Sequence, residues 1–545
     1  MSIPSDPRQL KRFALLAATL VAIGVLFYNV GSSLCRRQLP ADAANRYFLD
    51  VSMAASFAAT GDFPVAAYPA KLTQQPGAYE AFRQALVETT RAAGLHCWSV
   101  LGTVPPAALP DVRIIVKRAD DPGRALLLGG AFKAVGVAPY LVFWLAPLAF
   151  SVVLAWMGWE LVATGHGVAA GAFAMLLALS AYTADTLSLD YSAAGFYLTA
   201  LLLVVPVTAY ALRPLPQRTL PGVLGRAVLA GGLFAMSVLA RSGALVIAPF
   251  LIVSLVLAMR GVLAARRPVQ IYVDGIRLRP IRLLTLRPFW IAAVLVGATF
   301  LAPHVMARTY ANHLVARTSL KYGLEAPPQA HGVWITIWEG LGDFDRTKSH
   351  FWLDARAQLV VGNRVLSNPE SERILREAVL ADIREDPLWF ARILIRRLVA
   401  TVLQRKLWPW APVSGSSIAP ASASNEGLID NYYALTATAD HFGLGPLRFE
   451  VPVPLLLLPW LFLILRAPIL GLRGSPDALR SPTVLVALVA AAATVLPVAI
   501  TTAGALEPQA FVLAYLLAAA FLSEALLQRV RERHLARIGT ASRQV

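Results

Sequence analysis

Residues 13–34, FALLAATLVAIGVLFYNVGSSL, decide the fold. No charge interrupts them, and a helix of that length rises about 33 Å, enough to cross a hydrocarbon core of ~30 Å. Arg8, Lys11 and Arg12 stand before the block, and Arg36 and Arg37 follow Cys35 where a cleaved leader would carry small residues. The segment therefore reads as an uncleaved anchor. Working outward, comparable blocks lie near 139–158, 166–183, 192–211, 222–240, 243–259, 289–308, 452–466, 483–500 and 508–527. The expectation is an all-α polytopic membrane protein with about ten transmembrane helices.

Composition points the same way. Of 545 residues 57% are hydrophobic and only 15% charged, against roughly 25% charged in a soluble domain. Two cysteines exclude a disulfide framework, no CxxC, HExxH or P-loop pattern occurs, and the eight histidines show no metal spacing. The net charge of +17 would suit nucleic acid if it were spread over the chain. Instead, with the N-terminus inside, the cytoplasmic segments 1–12, 159–165, 212–226, 260–288, 466–482 and 528–545 hold 21 Arg and Lys against five acids, nearly the whole excess. The basicity is a positive-inside signature, and no nucleic-acid partner is implied. A further apolar stretch, Leu388–Leu407, would set Arg392, Arg396 and Arg397 within a bilayer. It reads as an amphipathic surface helix with Asp386 as N-cap and Pro387 at its first position.

The chain so divides into a cytoplasmic N-terminus with the first helix (1–34), a first extracytoplasmic loop (35–138), helices two to seven (139–308), a second extracytoplasmic loop domain (309–451), and helices eight to ten with a basic cytoplasmic tail (452–545). Loops of over a hundred residues are usually functional. Cys35 and Cys97 both fall in the first, where a bridge and two free thiols are both open readings. Residues 412–425 form a Ser/Ala/Pro-rich link.

Chemistry-bearing residues gather in these outer segments. Asp42, Arg46 and Asp50 are four apart and share one helix face, with Tyr47 beside them. A carboxylate there can act as general base towards a hydroxyl, with an arginine on an anionic leaving group; the same spacing also describes a solvated salt-bridge ladder. Asp185 and Asp190 occupy a short turn before the fourth span, and can orient a sugar, hold a divalent cation with Asp42, or cap a helix. Arg241 stands alone in the turn Arg241-Ser242-Gly243, where an anionic partner such as a lipid phosphate is expected; a snorkelling side chain is the plainer reading. The second loop opens with Trp334, Trp338, Glu339 and the Asp343-Phe344-Asp345 triplet, then Asp354. Aromatics beside acids suit sugar rings, and equally suit packing of a small loop domain.

In order and sidedness these pieces resemble the GT-C superfamily of membrane glycosyltransferases, which includes protein O-mannosyltransferases and the lipid A aminoarabinose transferase. Asp42, Tyr47 and Thr60-Gly61-Asp62 stand in the family pattern of an acid after the first helix and an Ala-rich helix ending at a Gly turn. Arg241-Ser242-Gly243 resembles its Lys/Arg-x-Gly turn, which in the aminoarabinose enzyme lies against the carrier phosphate. Gly340 to Phe344 followed by Trp352 to Asp354 is similar to outer-domain sequences of bacterial members. One departure is that Ala43 follows Asp42 where the family usually has a second acid, so either Asp42 works alone or Asp50 contributes.

The resemblance implies transfer of a sugar from a polyprenyl-phosphate carrier to a glycan, lipid or protein acceptor, on the periplasmic face of a bacterial inner membrane. Displacement would be single and inverting, with Asp42 as base and Arg241, with Arg46, on the departing phosphate. No cofactor is required by this reading, and a divalent metal stays open. A transporter or flippase, an O-antigen ligase-like polymer transferase and a non-enzymatic assembly protein are the alternatives; the first calls for inverted repeats and midplane charges.

Overall fold

The chain was analysed as a computed structural model, which describes residues 7–36, 41–63, 78–105, 109, 121, 123–189, 194–265, 271–273, 276–278, 283–323, 332–342, 347–350, 354–364, 366, 368–402, 439–445, 447–472, 482–500 and 510–541. The apolar block at 13–34 lies within α1 (Pro7–Arg36). The first long loop contributes α2 (Ala41–Thr60), α3 (Ala78–Ala92) and α4 (Gly123–Val135). Then come α5 (Leu141–Ala163), α6 (Gly167–Leu179), α7 (Ala181–Leu189), α8 (Ala194–Leu202), α9 (Val204–Leu212), α10 (Leu220–Ala240), α11 (Ala248–Ala265) and α12 (Leu283–Tyr322). The second long loop forms α13 (Val333–Leu341), α14 (Asp354–Val360), α15 (Pro369–Glu385), α16 (Pro387–Val402) and a hairpin of β3 (Ala439–Leu444) with β4 (Leu447–Pro452). The chain closes with α17 (Val453–Leu472), α18 (Pro482–Ile500) and α19 (Val512–Ala541). A hairpin of β1 (Ile271–Val273) and β2 (Ile276–Leu278), not expected from the sequence, joins α11 to α12.

The protein is an integral membrane protein built almost wholly of helices. Among the described residues eight helical segments are long and apolar enough to cross a membrane, and Gly167–Leu179 and Pro454–Leu465 are shorter apolar ones. These ten fall on the ten blocks read from the sequence. Their packed faces bury small residues beside aromatics, as between Phe234 of α10 and Phe300 of α12, and Gly231 lies against the Phe300 carbonyl with no room for a Cβ. Close approach through small residues is how apolar helices gain dispersion contacts when lipid is as apolar as they are.

Two expected continuous helices are divided. Between α6 and α7, Ser180 is extended (ψ 120°), which frees backbone groups inside an apolar bundle where they must find partners. Asn29 of α1 supplies them: its Nδ2 donates to the carbonyls of Ala178 (2.8 Å) and Gly443 (2.9 Å), and its Oδ1 accepts from Gly445 N–H (2.9 Å). Phe442 of β3 pairs with Ser180 itself, so the β3–β4 hairpin seats on the break. Asp185, expected in a turn, consequently lies on α7. The fourth span is α8 and α9, joined at Leu203, where Pro206 lacks the N–H that would continue the ladder to Leu202.

These contacts sort the bundle into two ends. At one lie Cys35, the α6–α7 break, the hairpin and the start of α5. At the other, Glu160 at the end of α5 meets Arg213 beyond α9 and Arg226 on α10 (2.5 and 2.7 Å). Glu160, in the segment 159–165 read as cytoplasmic, is fully buried.

The helices α13 to α16 form a second, smaller core around Ile335, Trp338, Leu375, Val379, Trp389 and Ile393. Glu372 of α15 accepts the N–H groups of Trp334 and Ile335 at the start of α13 (3.0 and 3.1 Å), and Asn368 caps α15 through Glu370 N–H (2.9 Å). The helix α16 begins at Pro387 with Asp386 accepting from Trp389 N–H (2.9 Å), as the sequence predicts. Of its arginines, Arg392 and Arg396 are exposed. Arg397 is 1% exposed and donates to the carbonyls of Val498 and Ala499 at the C-terminus of α18, where a helix end carries partial negative charge.

Candidate functional site

The first long loop is pinned before it reaches the site. Cys35 at the end of α1 is bonded to Cys97 as a disulfide, Trp144 Nε1 donates to the Cys97 carbonyl (3.1 Å), and the Trp98 ring lies against Gly31 and near Tyr28 and Trp144. From this anchor the chain returns to α4, which packs along α2. Gly129 of α4 faces Ala54 and Phe57 of α2 where a larger residue would collide.

On α2, Asp50 is fully buried and bound by Arg124 of α4, whose Nε donates to Oδ2 at 2.6 Å and whose Nη2 also pairs with that oxygen. Asp50, expected to share the role of base, is thus held in a buried ion pair between two helices. Asp42, Arg46 and Tyr47 lie on the first half of α2, and their side chains lie outside the described part of the structure. Asp50 stands two helical turns further along the same face.

Three residues before Arg124, Asp121 takes φ +41°, a left-handed conformation that aspartate tolerates better than most. Its Oδ1 accepts from Ser242 N–H (3.0 Å) and its Oδ2 is 4.0 Å from Arg241 Nη1. Gly123 between them abuts the Leu239 carbonyl of α10, where any Cβ would clash. The start of α4 is thus held to the α2 acidic face on one side and to the Arg241 turn on the other. Arg241, expected to need an external anion, already has a carboxylate neighbour, and its side chain remains 24% exposed.

Asp185 accepts from Ser33 Oγ of α1 (2.5 Å) and is half-buried at the same end of the bundle. Asp190 lies outside the described residues, as does the Asp343-Phe344-Asp345 triplet. After Arg241, a 3₁₀ turn at Ser242–Ile247 packs on α8 and α18, and Gly243 faces Leu496. No group of three or more His, Cys, Asp or Glu able to hold a metal occurs among the described residues.

The second-loop candidates stand on α13 and α14 of the smaller core. Trp338 and Glu339 are 3% and 6% exposed, and Trp338 packs on His350 (5.1 Å); the pattern read as sugar-stacking builds the small core. Trp334 is half-buried on the same core, and Asp354 starts α14 with its side chain outside the described part.

Two residues escaped the sequence reading, and a third, Asp62, was named there only as part of the Gly61 turn. Asp121 and Arg124 carry a weak signal, a lone arginine opening the Gly123–Val135 helix, whose only other charge is Lys133, right after an Asp-Pro-Gly sequence. Asp62, at the Gly61 turn that ends α2, pairs with Lys321 (2.5 Å), Tyr322 (2.8 Å) and Arg317 (3.7 Å) at the end of α12. Burial alone would push its pKa up, but the hydrogen bonds from Lys321 and Tyr322 outweigh it and hold the carboxyl below its ordinary 3.8. Comparison of the chain with family models, curated proteins and solved structures finds no match.

Proposed function

We propose that the protein is a GT-C-type glycosyltransferase that moves a sugar from a polyprenyl-phosphate carrier to an acceptor at the Cys35 end of the bundle. The carrying observation is the start of α4: within four residues Asp121 reaches Arg241 and Arg124 reaches Asp50. The Asp42-bearing helix and the Arg241 turn, some two hundred positions apart, therefore flank one short segment. In the reaction, Asp42 takes the acceptor proton as the acceptor oxygen bonds to the anomeric carbon. The bond from that carbon to the carrier phosphate breaks, and Arg241 neutralises the charge that grows on the leaving oxygen. Asp121 orients the arginine and Asp50–Arg124 fixes α2. A resident cofactor has no role in these steps, and divalent-metal dependence is an arm of the assay below.

Sidedness follows the same reading. Read as ten alternating spans, the sequence puts its Arg-rich connections on the side of Arg213, and a disulfide persists in an oxidising compartment. We place the Cys35 end on the periplasmic side of a bacterial inner membrane, with both termini cytoplasmic, and the acceptor as a glycan, lipid or protein. A transporter or flippase is the second reading, and the break at Ser180 is the observation that favours it.

Purified protein incubated with a panel of polyprenyl-phosphate sugars, with and without chelator, distinguishes them. Release of carrier phosphate that disappears in Asp42→Asn and Arg241→Ala, with folding retained, supports the transferase. No release from any donor, together with movement of a labelled lipid across reconstituted vesicles, selects the transporter.

A further inference from the structure

At the Arg213 end of the bundle lies a cavity of about 170 Å³ that the proposed reaction does not use. Leu161 of α5, Ala209 of α9, Leu485 of α18 and Phe521 of α19, all buried, supply its apolar walls. Among the residues that line it, two have polar side chains, Thr164 and His166, both in the connection from α5 to α6. A hydrocarbon hollow with a few fixed polar groups is the usual form of a small-ligand site.

His166 lines the hollow and is itself oriented by the groups behind it. Its Nδ1 is 2.8 Å from Glu524 Oε2, and its ring meets that of Phe521 edge-on at 5.2 Å. Glu524 is 5% exposed, and its other oxygen accepts from Ala169 N–H (3.4 Å). A carboxylate at Nδ1 keeps a hydrogen on that nitrogen, so the neutral ring offers Nε2 as an acceptor. No hydrogen bond to Nε2 occurs among the described residues. Thr164 spends its hydrogen on the Leu161 carbonyl (2.9 Å), which leaves its oxygen as an acceptor too.

These groups select the head of a ligand, and the volume selects its body. No Lys or Arg lines the cavity, and the His166–Glu524 pair carries no net positive charge with its ring neutral or protonated, so an anion is disfavoured. A hydroxyl donates to Nε2 of the neutral ring and accepts from Nε2–H of the protonated one; an ether or a carbonyl does only the second. Since an apolar cavity of about 150 Å³ takes benzene, about six to eight heavy atoms fit this one.

We propose that this cavity binds a compact alcohol, its hydroxyl on His166 and its hydrocarbon against Leu161, Ala209, Leu485 and Phe521. The site lies at the end of the bundle away from the Asp42–Arg241 region and is independent of the transferase reading.

The test irradiates the full-length protein, in a nonionic detergent, with a pentanol that carries a diazirine, and maps the adducts by peptide mass spectrometry. Labelling should saturate and fall on residues 161–166, 209–212, 485 or 521. Pentan-1-ol should displace the probe, and butyl methyl ether and pentanoate, of similar size, should do so at least severalfold less well. Ala209→Leu fills the hollow without touching a polar group and should abolish the labelling. His166→Phe combined with Glu524→Gln removes the hydroxyl's partner without stranding a buried charge, and should cut labelling at least severalfold. Adducts spread over the lipid-facing sides of the helices, equal displacement by the ether, or undiminished labelling in either variant would each overturn the proposal. If the variants fail to fold, the wild-type map and the competition decide between the same outcomes.

Discussion

Asp42 and Asp50 stand eight positions apart on α2, and their surroundings assign them different work. Asp50 has no exposure and a cationic partner on the neighbouring helix. Converting it to Asn strands the Arg124 charge in the interior, at a cost of about 3–5 kcal/mol. We expect Asp50→Asn to lower the unfolding midpoint in detergent, while Asp42→Asn leaves the midpoint unchanged and cuts turnover by about 10²–10⁴. Loss of turnover without loss of stability in Asp50→Asn would exchange the two roles. At this scale the sequence was legible in part. Spacing alone placed Asp42, Arg46 and Asp50 on one face, because helical periodicity is local. It could not show that Asp50 would be consumed by Arg124, since that contact spans 74 positions and depends on how α4 folds back along α2. Trp338 and Glu339 misled for the same reason: an aromatic beside an acid has one pattern whether it faces a sugar or, as here, a small core.

Elements were more legible than residues where their cause was hydrocarbon. Ten apolar blocks became ten apolar helical segments, and the Asp386-Pro387 start of α16 was readable from cap chemistry. The break at Ser180 was not, because Asn29 and the β3–β4 hairpin, which satisfy it, come from distant parts of the chain. We expect Asn29→Leu, which orphans the Ala178 carbonyl and Gly445 N–H, to cost about 1–3 kcal/mol per lost partner. Limited proteolysis should then cut the 439–452 hairpin faster than in the parent. The Cys35–Cys97 disulfide closes a loop of 62 positions, for which chain entropy corresponds to roughly 4 kcal/mol; Cys97→Ser should lower the unfolding midpoint to the level of the reduced parent, and an unchanged midpoint would mean the loop is held by Trp98 and Trp144 alone. In the second core, His350 is buried between Trp338 and Trp389 with Nε2 2.8 Å from Asp382. Burial pushes its pKa below 6.5, and Asp382 only partly restores it. Since the neutral ring is the favoured folded form, this stabilising effect is complete above pH 6.5 and declines as pH falls through the lowered folded value. Tryptophan fluorescence of the folded protein should report loosening of this core over that acidic interval, and His350→Gln should remove the dependence.

At the scale of the whole molecule, α12 is the member that joins membrane and loop. Forty residues make a helix of about 60 Å, roughly twice the hydrocarbon thickness, so much of it must stand clear of the bilayer core. Its far end carries Arg317, Thr318, Lys321 and Tyr322, all of which grip the Gly61 turn: Arg317 donates to the Gly61 carbonyl (2.6 Å), Phe63 N–H donates to Thr318 (2.9 Å), and Lys321 and Tyr322 hold Asp62. The helix that carries Asp42 is therefore tied at its middle, through Asp50, to Arg124 and at its C-terminal end to a strut that leads into the second loop domain. A lone exposed ion pair would contribute little, but this clip includes two main-chain bonds and a buried carboxylate. Because the Asp62 pKa is lowered, its stabilising effect is complete above 3.8 and is lost only as pH falls through the still lower folded value, so the clip is constant across the neutral range. If it holds α2 in register for the transfer, Lys321→Ala should lower kcat about tenfold or more while leaving donor KM unchanged, since a slight misplacement of a base costs rate and not binding. Lys321→Arg, which keeps the charge, should restore most of that rate, and an unchanged kcat in Lys321→Ala would leave the clip a purely structural joint.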